Sequence, residues 1–446
     1  MRKTLLLFVA ILTIAVCLAG PANAASEAEK QAAIASGLAY LASTQQVGGF
    51  WNTSGYPIAD TGAALLAFEE QYYKQGNTWG PLPNYSSVVT NAANYLLSTV
   101  STANLAGGSA GAIPGFTGTY ADKIGTYWGV DEQSYQTGLA LPAIARLTNG
   151  INGITPSTVI ATGPLTGQTY LNLIQRTVDQ ITYAQNGPGS GVYDGGWHYM
   201  IQPPQGDADN STAQWPVIGL TFAKAVPGVT VYPQTATELQ KWITYIQNPV
   251  DGSSGYQAPV NNYNNESKTG GLLVEMAYAG GGGNMALAKQ YLDDNWLNLA
   301  NNTWWGNFDN PYAMWSIYKG LAVTIGVDDM TTITNLHANP GDIDNPDHGW
   351  NWWQDYCNWL VTTQNANGSW NGYAYWTGVL AAAWDINILN ATEVGPPPVT
   401  TPEPGSLLLV FGGLVGLGFV RRRCKGWPEP NNKKGCFGTL FCSEAF

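Results

Sequence analysis

One stretch of this 446-residue chain gathers most of the side chains whose types and spacing could do chemistry. Between Tyr183 and Ala223 stand a Gly-aromatic turn (Asp194-Gly195-Gly196-Trp197), then His198, then Asp207 and Asp209, and finally Thr212-Ala213, which opens an apolar run. A carboxylic acid becomes an unusually strong proton donor when neighbouring groups hold it in a dry pocket, and Asp207 and Asp209 are the acids that follow His198 in this stretch. Trp197 and His198 offer a stacking face and a hydrogen-bonding group, and are candidate ligand-binding residues. A histidine beside a turn tryptophan also serves plain packing.

Other acids recur at related places. Asp209 and Glu266 each precede a repeated threonine by three residues, and Asp309 stands likewise before Tyr312. Asp60 directly precedes Thr61, and Asp131 with Glu132 lies just ahead of Thr137. If the helices that follow run parallel around a barrel, these carboxylates ring one mouth of it, so Asp60, Glu266 and Asp309 join the binding candidates. The competing reading is that Asp and Glu sit at helix N-termini because they accept from free N–H groups and offset the helix dipole. Trp51, Trp128, Trp197, Trp304, Trp305 and Trp370 fall in turns near that mouth. Aromatic faces with acids and amides nearby suit a sugar chain, and two facing carboxylates would suit glycoside hydrolysis. Otherwise these rings cement the turns.

The elements that must position these residues repeat. Thr61-Gly62, Thr137-Gly138, Thr212-Ala213, Thr269-Gly270 and Thr377-Gly378, with Tyr312-Ala313 as a weaker equivalent, each open an apolar helix. Before each pair lies an amphipathic helix: Ile34, Leu38 and Leu41 form one stripe, and Leu239, Trp242, Ile243 and Ile246 another. The helices after the pairs (GAALLAF, GLALPAI, GVLAAAW) are apolar almost all round. A striped helix followed by an all-apolar one implies an outer layer packed on an inner layer. The expected fold is all-α, an (α/α)6 toroid or barrel of six helical hairpins. An open solenoid would need polar capping repeats, which are not seen.

The turns between outer and inner helices carry a second repeat, Gln45-x3-Gly49-x-Trp51 and Gln364-x3-Gly368-x-Trp370, with partial forms at Gly255-Tyr256 and Trp304-Trp305-Gly306. On these turns the body, roughly residues 30–390, resembles the terpenoid cyclase and protein prenyltransferase α/α-toroid superfamily. Within it, squalene-hopene-type cyclases carry a D-x-D-D-T-A signature whose central Asp protonates an alkene. Asp207-Ala208-Asp209-Asn210-Ser211-Thr212-Ala213 is similar, but Asn210 replaces the third acid and Ser211 is inserted. The insertion would turn the acids by about 100° about a helix. The resemblance thus implies a degenerate acid catalyst at most, with Asp207 and Asp209 as its candidate catalytic residues. Asp355-Tyr356-Cys357 looks like the D-x-C pair of the prenyltransferases, yet no histidine follows and Cys357 lies on an apolar stripe.

The two ends speak of export. Residues 1–24 read as a signal peptide: Arg2 and Lys3, an apolar core from Leu5 to Leu18, and an Ala22-Asn23-Ala24 cleavage site. Residues 25–393 form the body and 394–401 a Pro-rich linker. Over 402–423, Pro402-Glu403-Pro404, the apolar Ser406 to Val420 and Arg421-Arg422-Arg423 resemble the PEP-CTERM sorting signal of exported bacterial envelope proteins. That resemblance implies an exosortase as processing partner, a membrane anchor before processing, and association with exopolysaccharide and the cell surface. The tail, 424–446, departs from the pattern, in which the signal ends the chain.

The body carries 10 Lys and Arg against 27 Asp and Glu, a net of −17. So acidic a body repels phosphate backbones, which excludes nucleic acid as a partner. It keeps one cysteine, Cys357, so no disulfide framework supports it. Three dispersed histidines (His198, His337, His348) argue against a transition-metal site. Asp342-Ile343-Asp344-Asn345-Pro346-Asp347 reads as a solvated loop before it reads as a calcium loop. No metal and no cofactor is expected. The expectation is an exported envelope protein that binds a neutral glycan or lipid-like ligand in an acidic, aromatic-lined cavity. An acid-catalytic or glycan-cleaving enzyme and a purely structural surface protein are the alternatives.

Overall fold

The computed structural model describes residues 24–105, 123–201, 206–260, 263–299, 304–337 and 349–394. The signal peptide before Ala24, the linker beyond Val394, the sorting segment, the tail, the Asp342–Asp347 loop and His348 lie outside the described residues.

Twelve α-helices occur among the described residues, and they alternate between two layers. The outer helices are α1 (Glu27–Thr44), α3 (Ser86–Thr99), α5 (Tyr170–Ala184), α7 (Pro233–Ile246), α9 (Met285–Asp294) and α11 (Trp352–Thr363). The inner helices are α2 (Pro57–Lys74), α4 (Gln133–Leu147), α6 (Gln214–Lys224), α8 (Glu266–Ala279), α10 (Pro311–Thr324) and α12 (Val379–Leu389). Local chemistry starts many of them. Ser26 and Glu29 form a capping box on α1, and Asn351 with Gln354 forms one on α11. Asn265 caps α8 and Asn310 caps α10. Pro57, Pro233 and Pro311 occupy first-turn positions, where no N–H is missed.

Packing holds the layers together. Outer helix α1 buries a stripe of Ala33, Ile34, Gly37, Leu38 and Leu41, whereas inner helix α2 is buried at every position from Ile58 to Gln71. Burying a large aliphatic side chain contributes roughly 1.5–3 kcal/mol, against at most ~0.7 kcal/mol per residue from ordinary helix propensity. Enclosure therefore decides where the inner helices lie. Each inner helix packs on the next, α2 on α4, α4 on α6, α6 on α8, α8 on α10 and α10 on α12, and α12 returns to α2. The ring is closed.

The glycine of the repeated Thr-Gly pair sets the spacing within this ring. A Cβ on Gly138 of α4 would lie 2.5 Å from the Trp215 carbonyl of α6. The threonine ties the preceding turn to the inner helix: Thr61 Oγ1 accepts from Trp51 N at 3.2 Å and Thr137 Oγ1 from Trp128 N at 3.0 Å. The glutamines bridge each turn to the next outer helix. Gln45 Nε2 donates to the Gly49 and Val88 carbonyls, both at 3.0 Å, and Gln364 Nε2 donates to those of Gly368 and Ala33. Gln185 and Gln247, which the motif in its strict spacing does not include, make the same paired bonds.

One element departs from the all-helical expectation. Between α3 and α4, strands β1 (Ser101–Asn104) and β2 (Ile124–Tyr127) pair antiparallel and deliver the chain to Trp128. This hairpin stands where other units place the glutamine turn, and β2 packs on α5.

Candidate functional site

Because the six inner helices run the same way, their N-terminal ends converge at one mouth of the ring. A cavity of about 620 Å³ opens there, within the ~300–1,000 Å³ usual for small-molecule pockets. Its walls are the first turns of all six: Tyr56 and Ala59 for α2, Tyr135 and Gln136 for α4, Ser211 and Trp215 for α6, Ser267 and Lys268 for α8, Asn310 and Tyr312 for α10, and Leu380 and Trp384 for α12.

The lining is aromatic and hydroxyl-rich. Trp215 and Trp384 stack at 5.8 Å, and Tyr312 stacks on Trp376 at 4.5 Å. Trp304 meets Trp376 edge-on at 5.3 Å. Across the cavity, Tyr135 stacks on Tyr199 at 5.9 Å, and the Tyr199 and Tyr256 hydroxyls lie 2.6 Å apart. Tyr312 donates its hydroxyl to the Ser211 carbonyl at 2.8 Å, and Gln214 Nε2 donates to the Tyr312 oxygen at 3.0 Å. At the rim Trp304, Trp305, Tyr263 and Tyr375 are 49, 42, 59 and 59% exposed.

Two charged groups face this space. Glu132, in the left-handed conformation ahead of α4, is partly buried, and burial raises its proton affinity with help from Asp131. Lys268, in the first turn of α8, is 6% exposed. Burial lowers its ammonium pKa to about 8, and the nearby Asp209 and Glu266 charges oppose that shift.

Of the residues the sequence placed at the mouth, Glu132, Trp304 and Trp305 lie on the cavity wall, and Asp60, Trp197, His198, Asp207, Asp209, Glu266 and Asp309 do not. Asp209 is fully buried, and its carboxylate accepts from Thr212 N at 2.9 Å, Thr212 Oγ1 at 2.9 Å and Ser211 Oγ at 2.5 Å. It fastens the entry to α6, and burial raises its proton affinity while those bonds oppose the rise. Asp207 is half-exposed, its Oδ2 3.6 Å from His198 Nε2, and the His198 charge also reaches the buried Asp209. The chain from 206 to 213 is irregular rather than helical, and the inserted Ser211 is taken up there by a turn. Asp60 accepts from Thr53 N at 2.6 Å and Ser54 N at 3.0 Å. Glu266 accepts from Asn298 Nδ2 and Gly306 N, both at 3.0 Å, holding the loop ahead of α10. Asp309 is exposed, with φ of 63°.

The turn tryptophans divide in two. Trp51, Trp128, Trp197 and Trp370 are buried, and each donates its indole N–H to a carbonyl near the end of an outer helix: Leu41, Leu96, Ile181 and Leu360, at 2.8–2.9 Å. They cement the turns. Trp304 and Trp305 face the cavity. Cys357 is buried on α11, and burial pushes its thiol well up, as suits a small apolar group.

Sequence reasoning passed over Lys268, Ser211 and the tyrosines. One signal was available for Lys268: a cation in the first turn of an otherwise apolar helix opposes the helix dipole.

Residues 400–423 match the model of the PEP-CTERM protein-sorting motif. The motif marks the protein for export, with sorting by an exosortase and a destination in the cell envelope or outside the cell. No curated protein matches the chain. Among the described residues no helix is long and apolar enough to cross a membrane, and no group of three or more His, Cys, Asp or Glu side chains is placed to hold a metal ion.

Proposed function

We propose that this exported protein is a binding module that takes a glycan segment in the cavity at the N-terminal mouth of its inner ring. The observation that carries the reading is the rim, where exposed rings stand among amides and hydroxyls. Sugar rings offer C–H faces that stack on aromatics and hydroxyls that need fixed donors and acceptors. Trp304, Trp305, Tyr263 and Tyr375 supply the faces, and the Gln257 amide with the Tyr199 and Tyr256 hydroxyls the polar groups. A purely lipid-like ligand would cover the Gln257 amide, whose side chain makes no hydrogen bond among the described residues, and leave it unpaired at a cost of ~1–3 kcal/mol. The closed ring of six hairpins and its glutamine turns support kinship with the terpenoid cyclase and prenyltransferase toroids.

Binding is preferred to catalysis because Glu132 is the only carboxylate among the described lining residues, and glycoside hydrolysis uses two. Asp209, the cyclase-like candidate, has its oxygens engaged by Ser211 and Thr212 and lies behind the wall. Calorimetric titration of the full chain with a panel of oligosaccharides tests the reading. Trp305→Ala should weaken a hit about fivefold, since stacking on one ring contributes ~1 kcal/mol, and should lower the melting temperature less than loss of a buried turn tryptophan does. Trp197→Ala should instead lower stability by about 3–5 kcal/mol. Absence of any hit, or full affinity in Trp305→Ala, would turn the reading toward a structural surface protein.

A further inference from the structure

We propose that the cavity anchors a carboxylate of its ligand on Lys268, so that the glycan it takes carries uronic-acid units. This rests on the glycan reading and names the ligand class within it. Lys268 lines the cavity, is more than nine-tenths buried, and its ammonium makes no hydrogen bond or ion pair within the described residues. A buried charge left without a partner is costly, and protein interiors ordinarily pair it. The charges of Asp209 and Glu266 reach Lys268, but neither acid bonds it among the described residues. Asp209 is taken up by Thr212 and Ser211, and both Glu266 oxygens are taken up by Asn298 and Gly306. Its place makes the cost greater, because the first turn of α8 is the positive end of a helix dipole and five other inner helices point the same end at this cavity. Cation and helix ends together favour a negative group, and the space in front of Lys268 is open to a ligand.

Neutral sugars offer only hydroxyl acceptors to this ammonium. A uronate offers a carboxylate, whose charge-assisted bond is the stronger. The neutral glycan suggested by composition alone is therefore replaced by an acidic one, despite the −17 charge of the body.

The test is calorimetric titration of the full chain with a galacturonate oligosaccharide and with the same oligosaccharide after reduction of its carboxyl groups to alcohols. The acidic form should bind about tenfold tighter or more. Lys268→Met should bring that ratio close to one, and Lys268→Arg, which keeps a cation, should restore part of it. Equal binding of both forms by the unaltered protein overturns the proposal and leaves the glycan reading standing, as does an undiminished ratio in Lys268→Met. Binding of neither form removes both.

Discussion

Lys268 and Asp209 stand close enough for each to feel the other, yet the wall between them gives them opposite work. Asp209 accepts from the turn it fastens, while the Lys268 ammonium has no hydrogen-bond acceptor among the described residues. An unpartnered buried cation should make the empty protein less stable than it need be. Its pKa falls from 10.5 in the unfolded chain to about 8 in the fold, so between those values the unfolded state binds more protons and stability rises with pH. Below pH 8 the full penalty applies, on the order of 3 kcal/mol. Lys268→Met should therefore raise the melting temperature, most clearly at pH 7, and the gain should shrink as pH climbs from 8 towards 10.5. Melting curves of both proteins across that range check it. A gain independent of pH would show that packing, not charge, accounts for it.

Between helices, the closest contacts of the ring occur where the repeated glycine meets its neighbour. Gly138→Ala would push a methyl against the Trp215 backbone, which cannot swing aside as a side chain can. The expected loss is about 1–3 kcal/mol, read as a lower urea midpoint with the slope unchanged. This contact was half legible in the sequence. The Thr-Gly pairs announced six equivalent helices, because an all-apolar helix after a striped one has only one place to go, the inside of a two-layered array. What the pairs do, threonine accepting from the turn and glycine admitting the next helix, needed coordinates. The β1–β2 hairpin was invisible, since its strands are four residues each and neither STAN nor IGTY alternates apolar with polar residues as a strand usually does. Among the site residues, the recurring acids drew notice because acids at recurring positions look like chemistry. They recur because helix starts recur; among the described residues only Glu132 of them reaches the cavity wall, which is otherwise built mostly of tryptophans, tyrosines, amides and one lysine.

Taken whole, the molecule carries its negative charge both outside and in. Glu69, Glu275 and Asp385 lie inside the ring with at least one carboxylate oxygen buried and unpartnered, and burial raises the proton affinity of each well above the ordinary value. For these three the sign is the reverse of the familiar salt-bridged carboxylate. A group whose folded pKa is raised contributes most below its unfolded pKa, and that contribution is lost as pH rises through the folded value. The surface acts in the same direction, because a body at −17 repels itself less as its acids begin to protonate. Lys268 and Lys319, with ammonium pKa values lowered by burial to about 8 and about 7, pull the other way but have done so mostly by the time pH has fallen to 7. Glu27, Glu29 and Asp329, whose proton affinities are lowered by hydrogen bonds, lie towards the surface, where such bonds contribute little. The melting temperature should accordingly rise by several degrees between pH 7.5 and pH 5, where many proteins begin to lose stability. Glu275→Gln should flatten the rise, since the amide keeps the shape and cannot ionise. A melting temperature that falls steadily on acidification would mean that the buried carboxylates are hydrated or paired in solution and that the ring interior is wetter than its walls suggest.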